Sequence, residues 1–248
     1  RCKVARGMQE IREPRLITRA KPKPKKHLAG AKRSHGRGQA RLGTGLSRER
    51  IAAAALALID REGLPALSTR RLGDELGCEA MSIYHHFPGK AHLMDALVDL
   101  MLAEARIPAA GEGDWLDRLR CAAHGFRAMA LKHPKFFPFL AVHRLNTRAG
   151  VGFVNGIIGI LREAGFSDGD AARYFRVLGY YLTGAALDET AGYAKGPSAA
   201  EPVSDETIAA EFPHLAAAAP YFQPVCFPAT FEAGLEMLLE GIRQAHRS

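Results

Sequence analysis

A chain of 248 residues with 47% hydrophobic side chains is long enough to bury one sizeable core or two modest ones. Its four cysteines, Cys2, Cys78, Cys121 and Cys226, stand too far apart for a zinc cage or a CxxC redox pair, and read as reduced thiols of a cytoplasmic protein, not as a disulfide framework. The formal charge of +8 is unevenly spread: residues 1–48 carry fifteen Lys and Arg against Glu10 and Glu13, so the rest of the chain is net acidic and its fold is not to be read as basic.

The first segment, residues 1–46, holds Lys21-Pro-Lys-Pro-Lys-Lys26 and almost no periodic apolar positions. Such a stretch cannot bury enough surface to offset its ordering entropy, so a disordered basic arm is expected. It adds sequence-independent affinity for DNA phosphates, or is a plain solvated tail, or is an over-long start, Met8 being internal. The basic start is not followed by the apolar run and cleavage site of a secretory signal. No stretch approaches the ~18 apolar residues of a membrane span.

From Ser47 onward the pattern is helical, and the predicted class is all-α. Ser47 is a plausible N-cap, with Ile51, Ala55, Leu58 and Ile59 at helical spacing behind it, and Gly63 and Pro65 stop this first helix. Ser68 caps a short second helix that turns Leu72 and Leu76 inward and ends at Gly77. A third runs from about Glu79 to His86 and closes at Phe87-Pro-Gly89. The fourth carries Leu93, Leu97, Leu100 and Met101 on one stripe and ends before Pro108.

Beyond the linker Gly111-Glu-Gly113, Asp114 caps a helix of about 115–132, stopped at His133-Pro134. A shorter helix holds Phe136 to His143, and another runs from about Thr147 to Ala164. Ser167 and Asp170 form a capping-box-like start for a helix reaching about Thr190. Residues 195–205 read as loop and 206–222 as broken helix. A last helix begins near Pro228, with Phe231, Leu235, Leu238, Leu239 and Ile242 on one stripe.

The informative segment is Leu67-Ser-Thr-Arg-Arg-Leu-Gly-Asp-Glu-Leu-Gly77, followed by Ser82-Ile-Tyr-His-His-Phe-Pro-Gly-Lys90. Two short helices joined by a Gly-containing turn have the helix-turn-helix format, whose second helix enters the major groove. Leu72, Leu76 and Ile83 must be apolar to hold the pair at a fixed angle, and Gly77 lets the backbone turn without a Cβ clash. Ala80, Met81, Ser82, Tyr84 and His85 point outward, with groups suited to base edges and thymine methyls. Thr69 and Arg70 open the second helix, where free N–H groups favour a phosphate, and Lys90 opens the fourth.

Those two tracts carry a resemblance. Residues 47–105 resemble the TetR family of one-component transcriptional repressors, departing from its usual pattern in Cys78, where Val is common, and in the long basic arm. The resemblance implies that Thr69, Arg70, Ala80, Met81, Ser82, Tyr84, His85 and Lys90 stand where family members touch operator DNA, and that His86 helps to place the reading helix. It divides the chain into the arm 1–46, a DNA-binding domain 47–92, and a helical effector-binding and dimerisation domain 93–248. It also implies a homodimer whose last helices form a four-helix bundle, the stripe from Phe231 to Ile242 supplying half of it beside Tyr174, Leu178, Tyr181, Leu182 and Ala185. Elementary geometry agrees, because one short reading helix binds weakly and two placed about 34–36 Å apart read two half-sites.

The second domain is rich in aromatics, among them Phe136, Phe139, Phe153, Phe175 and Tyr180. Most must be plain core, and a few should line a cavity for a small hydrophobic effector. The candidates for that cavity are Phe126, Met129, Phe137 and Tyr174, with His133, His143, Asn146 and Asp188 as its polar groups. His124, His133 and His143 lie nine and ten residues apart, which does not stack ligands on one helix face, so no metal is expected. Gly150-Val-Gly152-Phe-Val-Asn-Gly156 imitates a dinucleotide loop but lacks the preceding strand, and its glycines suit close helix packing instead. With no nucleophile–base pair or paired carboxylates, neither catalysis nor a cofactor is expected. The function implied is a repressor released from a palindromic operator by a small molecule; an activator, or a regulator without a ligand, stays open on the same fold.

Overall fold

The computed structural model describes residues 45–192 and 196–246, and every regular element among them is helical. The basic arm expected over 1–46 lies, except for Gly45 and Leu46, outside the described residues. The principal helices are α1 (Arg48–Glu62), α2 (Thr69–Leu76), α3 (Ala80–His86), α4 (Lys90–Glu104), α5 (Trp115–Lys132) and α6 (Phe137–Val142). They are followed by α7 (Arg148–Glu163), α8 (Asp168–Ala191), α9 (Asp205–Glu211), α10 (Pro213–Ala218) and α11 (Phe227–His246).

Side-chain caps set most of the helix starts. The hydroxyls of Ser47, Ser68, Thr147, Ser167 and Ser204 each accept the N–H three residues ahead, and the Asp114 carboxylate does the same for Asp117. Each such cap is worth about 1 kcal/mol. The ends follow the same logic: Gly77 closes α2 in the left-handed conformation, at φ 66° and ψ 37°.

Two apolar clusters hold the helices together. The first gathers Ile51, Leu58, Ile59, Leu72, Ile83 and Phe87 from the first three helices and their closing turn. It continues without a break into Leu93, Leu97 and Met101 of α4, and then into Met129, Phe136 and Phe137. The expected domain boundary at 92/93 therefore falls in the first turn of α4, a helix whose buried face belongs to the core on both sides of it. The second cluster packs Leu119, Ile160, Leu161, Phe166, Leu178 and Leu235 from α5, α7, α8 and α11, with the loop after α7.

The stripe of α11 expected to form half of a dimer bundle is already covered. Phe231, Leu235, Leu239 and Ile242 are buried inside the protomer, and Leu238 is packed against them. The stripe is internal core and is not free to meet a second copy. The face that α11 turns to solvent carries Thr230, Ala233, Met237 and Gly241 instead. Of the glycines in α7, Gly150 and Gly156 are at close approaches, to Leu145 and to Ile107, whereas Gly152 and Gly159 face open space.

Candidate DNA-reading head and effector cavity

The reading helix α3 is held by Ile83, which is fully buried against α1 and α2, and by Phe87 just past its end. Arg48 of α1 clamps the same end: its guanidinium lies 4.2 Å over the Phe87 ring and donates to the His86 carbonyl. The two helices of the motif meet at Gly73, where an added Cβ would come within 2.7 Å of the Cys78 carbonyl oxygen. Cys78 N–H in turn donates to the Gly73 carbonyl at 2.9 Å, locking the turn. Neither Arg48 nor Gly73 was singled out by sequence; the small residue one turn before Gly77 was the available signal for the second.

With α3 fixed, its remaining side chains are sorted by periodicity. Met81 is 65% exposed and Tyr84 44%, His85 is exposed, and Ala80, Ser82 and His86 are half-buried. Thr69 and Arg70 occupy the first turn of α2, and Lys90 the first position of α4. Thr69, Tyr84 and Lys90 come together around one surface depression of about 270 Å³. α2 and α4 both begin there, so unpaired N–H groups and two helix dipoles favour an anion. The ion pairs Arg61–Glu75 and Arg71–Glu62 brace α2 against α1 away from this face.

The second domain contains a partly open cavity of about 160 Å³ between α5, α6, α7 and α8. Phe126 and His143 line it, with Phe153, Phe175, Leu182 and Thr183 among the other walls. The other six candidates lie elsewhere. Met129 and Phe137 are sealed in the first apolar cluster, and Tyr174 packs edge-on against Phe166 at 5.3 Å. Asn146 is exposed beyond α6, and Asp188 borders a different groove, between α8 and α11. His133 is buried in an interlock of its own: Nδ1 is 2.8 Å from Asp60 of α1, and Nε2 is 3.2 Å from Glu104 of α4. Burial alone would raise the Glu104 carboxyl, but hydrogen bonds from Lys132 and His133 outweigh it and hold the group below its ordinary value.

A second tie joins α5 to α8. Arg127 donates to both carboxylate oxygens of Glu189, at 2.9 and 2.7 Å, and lies 4.7 Å over the Phe231 ring of α11. That hydrogen bonding raises the Arg127 guanidinium further above its ordinary value. Among the described residues no group of three potential ligands is placed to hold a metal ion, and no helix is long and apolar enough to cross a membrane.

Comparison with known proteins assigns this arrangement. Residues 51–97 match the family described as "Bacterial regulatory proteins, tetR family", and residues 107–246 match "Tetracyclin repressor-like, C-terminal domain". The chain belongs to the TetR family. The class A tetracycline repressor of transposon 1721 from Escherichia coli is 33% identical over 205 residues, which cover 80% of this chain and 91% of that one. Among solved structures, a possible TetR-family regulator from Streptomyces coelicolor A3(2) superposes with a TM-score of 0.67 at 35% identity, covering 80% of this chain and all of the other. ActR from Streptomyces coelicolor, in complex with actinorhodin, reaches a TM-score of 0.65 at 27% identity over 83% of this chain and all of ActR. As a TetR-family protein the chain is a DNA-binding regulator of transcription, with its helix-turn-helix in α2 and α3 and a helical C-terminal domain behind it.

Proposed function

We propose that the chain acts as a homodimeric repressor, reads a palindromic operator with α3, and leaves it when a small molecule fills the cavity between α5 and α8. The observation that carries this reading is the division of α3: Ile83 anchors it in the core, while Met81, Tyr84 and His85 project from the same rigid helix into solvent. In this reading Tyr84, His85, Ser82, Met81 and Ala80 meet base edges, Thr69, Arg70 and Lys90 bind phosphates, and His86 positions the helix. ActR, a similar regulator, is known in complex with actinorhodin, which supports a small-molecule effector for this cavity as well.

The homodimer is supported by two exposed apolar features. Tyr180 of α8 and Met237 of α11 are each about 70% exposed and flank small residues, Gly184, Ala233 and Gly241, that permit close helix approach. The segment from α9 to the turns before α11 contributes nothing to the protomer core yet exposes Phe212, Leu215, Tyr221, Phe222 and Val225. A second copy set across α8 and α11 would cover both, as soluble monomers rarely leave such patches open.

The test is fluorescence anisotropy with DNA from the chain's own upstream region. Wild-type protein should bind a palindromic site, with affinity falling as salt rises. The double variant Tyr84→Ala, His85→Ala should keep its helical circular dichroism but lose at least about tenfold in sequence-selective affinity, since a good base contact is worth about 1–3 kcal/mol. Unchanged selectivity in a folded variant would sink the assignment. Light scattering of Met237→Glu should show monomer where wild type shows dimer.

A further inference from the structure

Arg48 is an exposed cation on the DNA-binding part of the chain, yet its guanidinium is engaged by the protein itself. It lies 4.2 Å over the Phe87 ring and donates to the His86 carbonyl, 38 residues away in sequence. A cation over an aromatic face is attracted by the ring quadrupole, and a planar guanidinium can stack there while its N–H groups bond elsewhere. The base from which it reaches is rigid: the Ser47 hydroxyl caps α1, and Ile51, within its first turn, is fully buried.

The far end of that reach is the weak end of α3. A helix leaves its last four carbonyls without intrahelical partners, and in a helix of seven residues that is more than half of them. Phe87 N–H closes the Ile83 carbonyl at 2.9 Å, and Arg48 closes that of His86, the final residue. Its positive charge also stands at the negative end of the α3 dipole. Ile83 and Phe87 fasten the helix from inside the core; Arg48 fastens its last carbonyl from outside. The turn so held carries Tyr84 and His85, and helix ends otherwise fray.

From this placement we infer that Arg48 is a positioning residue for operator reading: it sets Tyr84 and His85 by holding the last turn of α3, and its charge is not spent on a DNA phosphate. The inference rests on the reading of α3 as the helix that meets base edges. The role needs a guanidinium, because a lysine ammonium is a compact point charge that does not stack and bond in the same way. A phosphate contact, by contrast, accepts either cation.

The test compares the palindromic site with random-sequence DNA of the same length, by fluorescence anisotropy over a salt series. Arg48→Ala should bind the palindrome about tenfold more weakly, the scale of one impaired base contact, and random DNA within about twofold of wild type. On random DNA the slope of log affinity against log salt should stay as in wild type, whereas each lost phosphate contact lowers it by about 0.9. Arg48→Lys should bind like Arg48→Ala. Phe87→Leu keeps an apolar group in the core but removes the ring; joined to Arg48→Ala it should cost at most about twofold beyond the worse single variant, because residues in one contact are not additive. Equal losses on both DNAs, a lowered slope, rescue by Arg48→Lys, additive losses or wild-type affinity in Arg48→Ala would each overturn the role. So would loss of helical circular dichroism in Arg48→Ala, which would make the residue a folding one. A wild-type protein that does not tell the palindrome from random DNA would overturn the reading of α3 itself, and this role with it.

Discussion

Single atoms decide how α2 and α3 sit together. Gly73 has the Cys78 carbonyl oxygen where its Cβ would be, and that oxygen belongs to the backbone of the turn, so it cannot swing aside. Gly73→Ala should therefore destabilise the protein by about 1–3 kcal/mol, the usual cost of overpacking. Gly77→Ala meets no neighbour and bears only the left-handed φ of 66°, a cost of about 1–2 kcal/mol. Urea unfolding of the two variants reads both costs, and Gly73→Ala should also lose operator affinity out of proportion to its stability, because α3 is re-aimed. At this scale the sequence was informative about direction. One apolar residue, Ile83, between polar neighbours was enough to say which side of α3 faces outward. It was poor at separating cavity wall from core: Phe126 and Phe137 follow the same apolar periodicity, and only the first borders a void, since a void depends on what the facing helices leave unfilled.

Elements are joined by a few polar ties that no local pattern announces. His133, the C-cap of α5, was expected among the polar groups of the effector cavity. Its two partners, Asp60 and Glu104, lie 73 and 29 residues away in sequence, so the pairing exists only once α1, α4 and α5 have packed. His133→Phe keeps a ring in place but removes both bonds from two partly buried carboxylates. A loss of about 2 kcal/mol is expected, the scale of hydrogen bonds to charged groups. Chemical denaturation measures it, and a stability within about 0.5 kcal/mol of wild type would show that the interlock contributes little. The helix boundaries, by contrast, were readable almost residue by residue. Ser47, Ser68, Asp114 and Ser167 signal their starts through their own side chains, and those side chains make the caps.

Across the whole molecule, several ties share one pH dependence. Glu104 is held low, against its burial, by Lys132 and His133; Glu236 is held low by its hydrogen bond from Arg120; Glu112 is held low by the Ala109 N–H and by Arg106. A carboxyl lowered in the folded state contributes stability that is present above its unfolded value, about pH 4.3, and is lost as pH falls through its folded value. Thermal unfolding should thus show a midpoint that declines as the solution is acidified below about pH 4.5, and Glu104→Gln should flatten that decline. A wild-type midpoint unchanged down to pH 3 would contradict it. The all-α class and the order of the helices were legible from periodicity and turn residues alone. The division at 92/93 came from the resemblance and not from any break in the pattern, and the apolar stripe of α4 serves both sides of it.

That double service of α4 has a consequence for how the protein melts. Ile51, Leu72 and Ile83 touch the same apolar cluster as Leu97, Met101 and Phe136, so the part that would read the operator has no interior of its own to fall back on. Cut after α4, it would present to water the side chains that α5 and α6 now cover. A regulator built this way loses its grip on a gene and its sense of a ligand at one temperature, in one cooperative step.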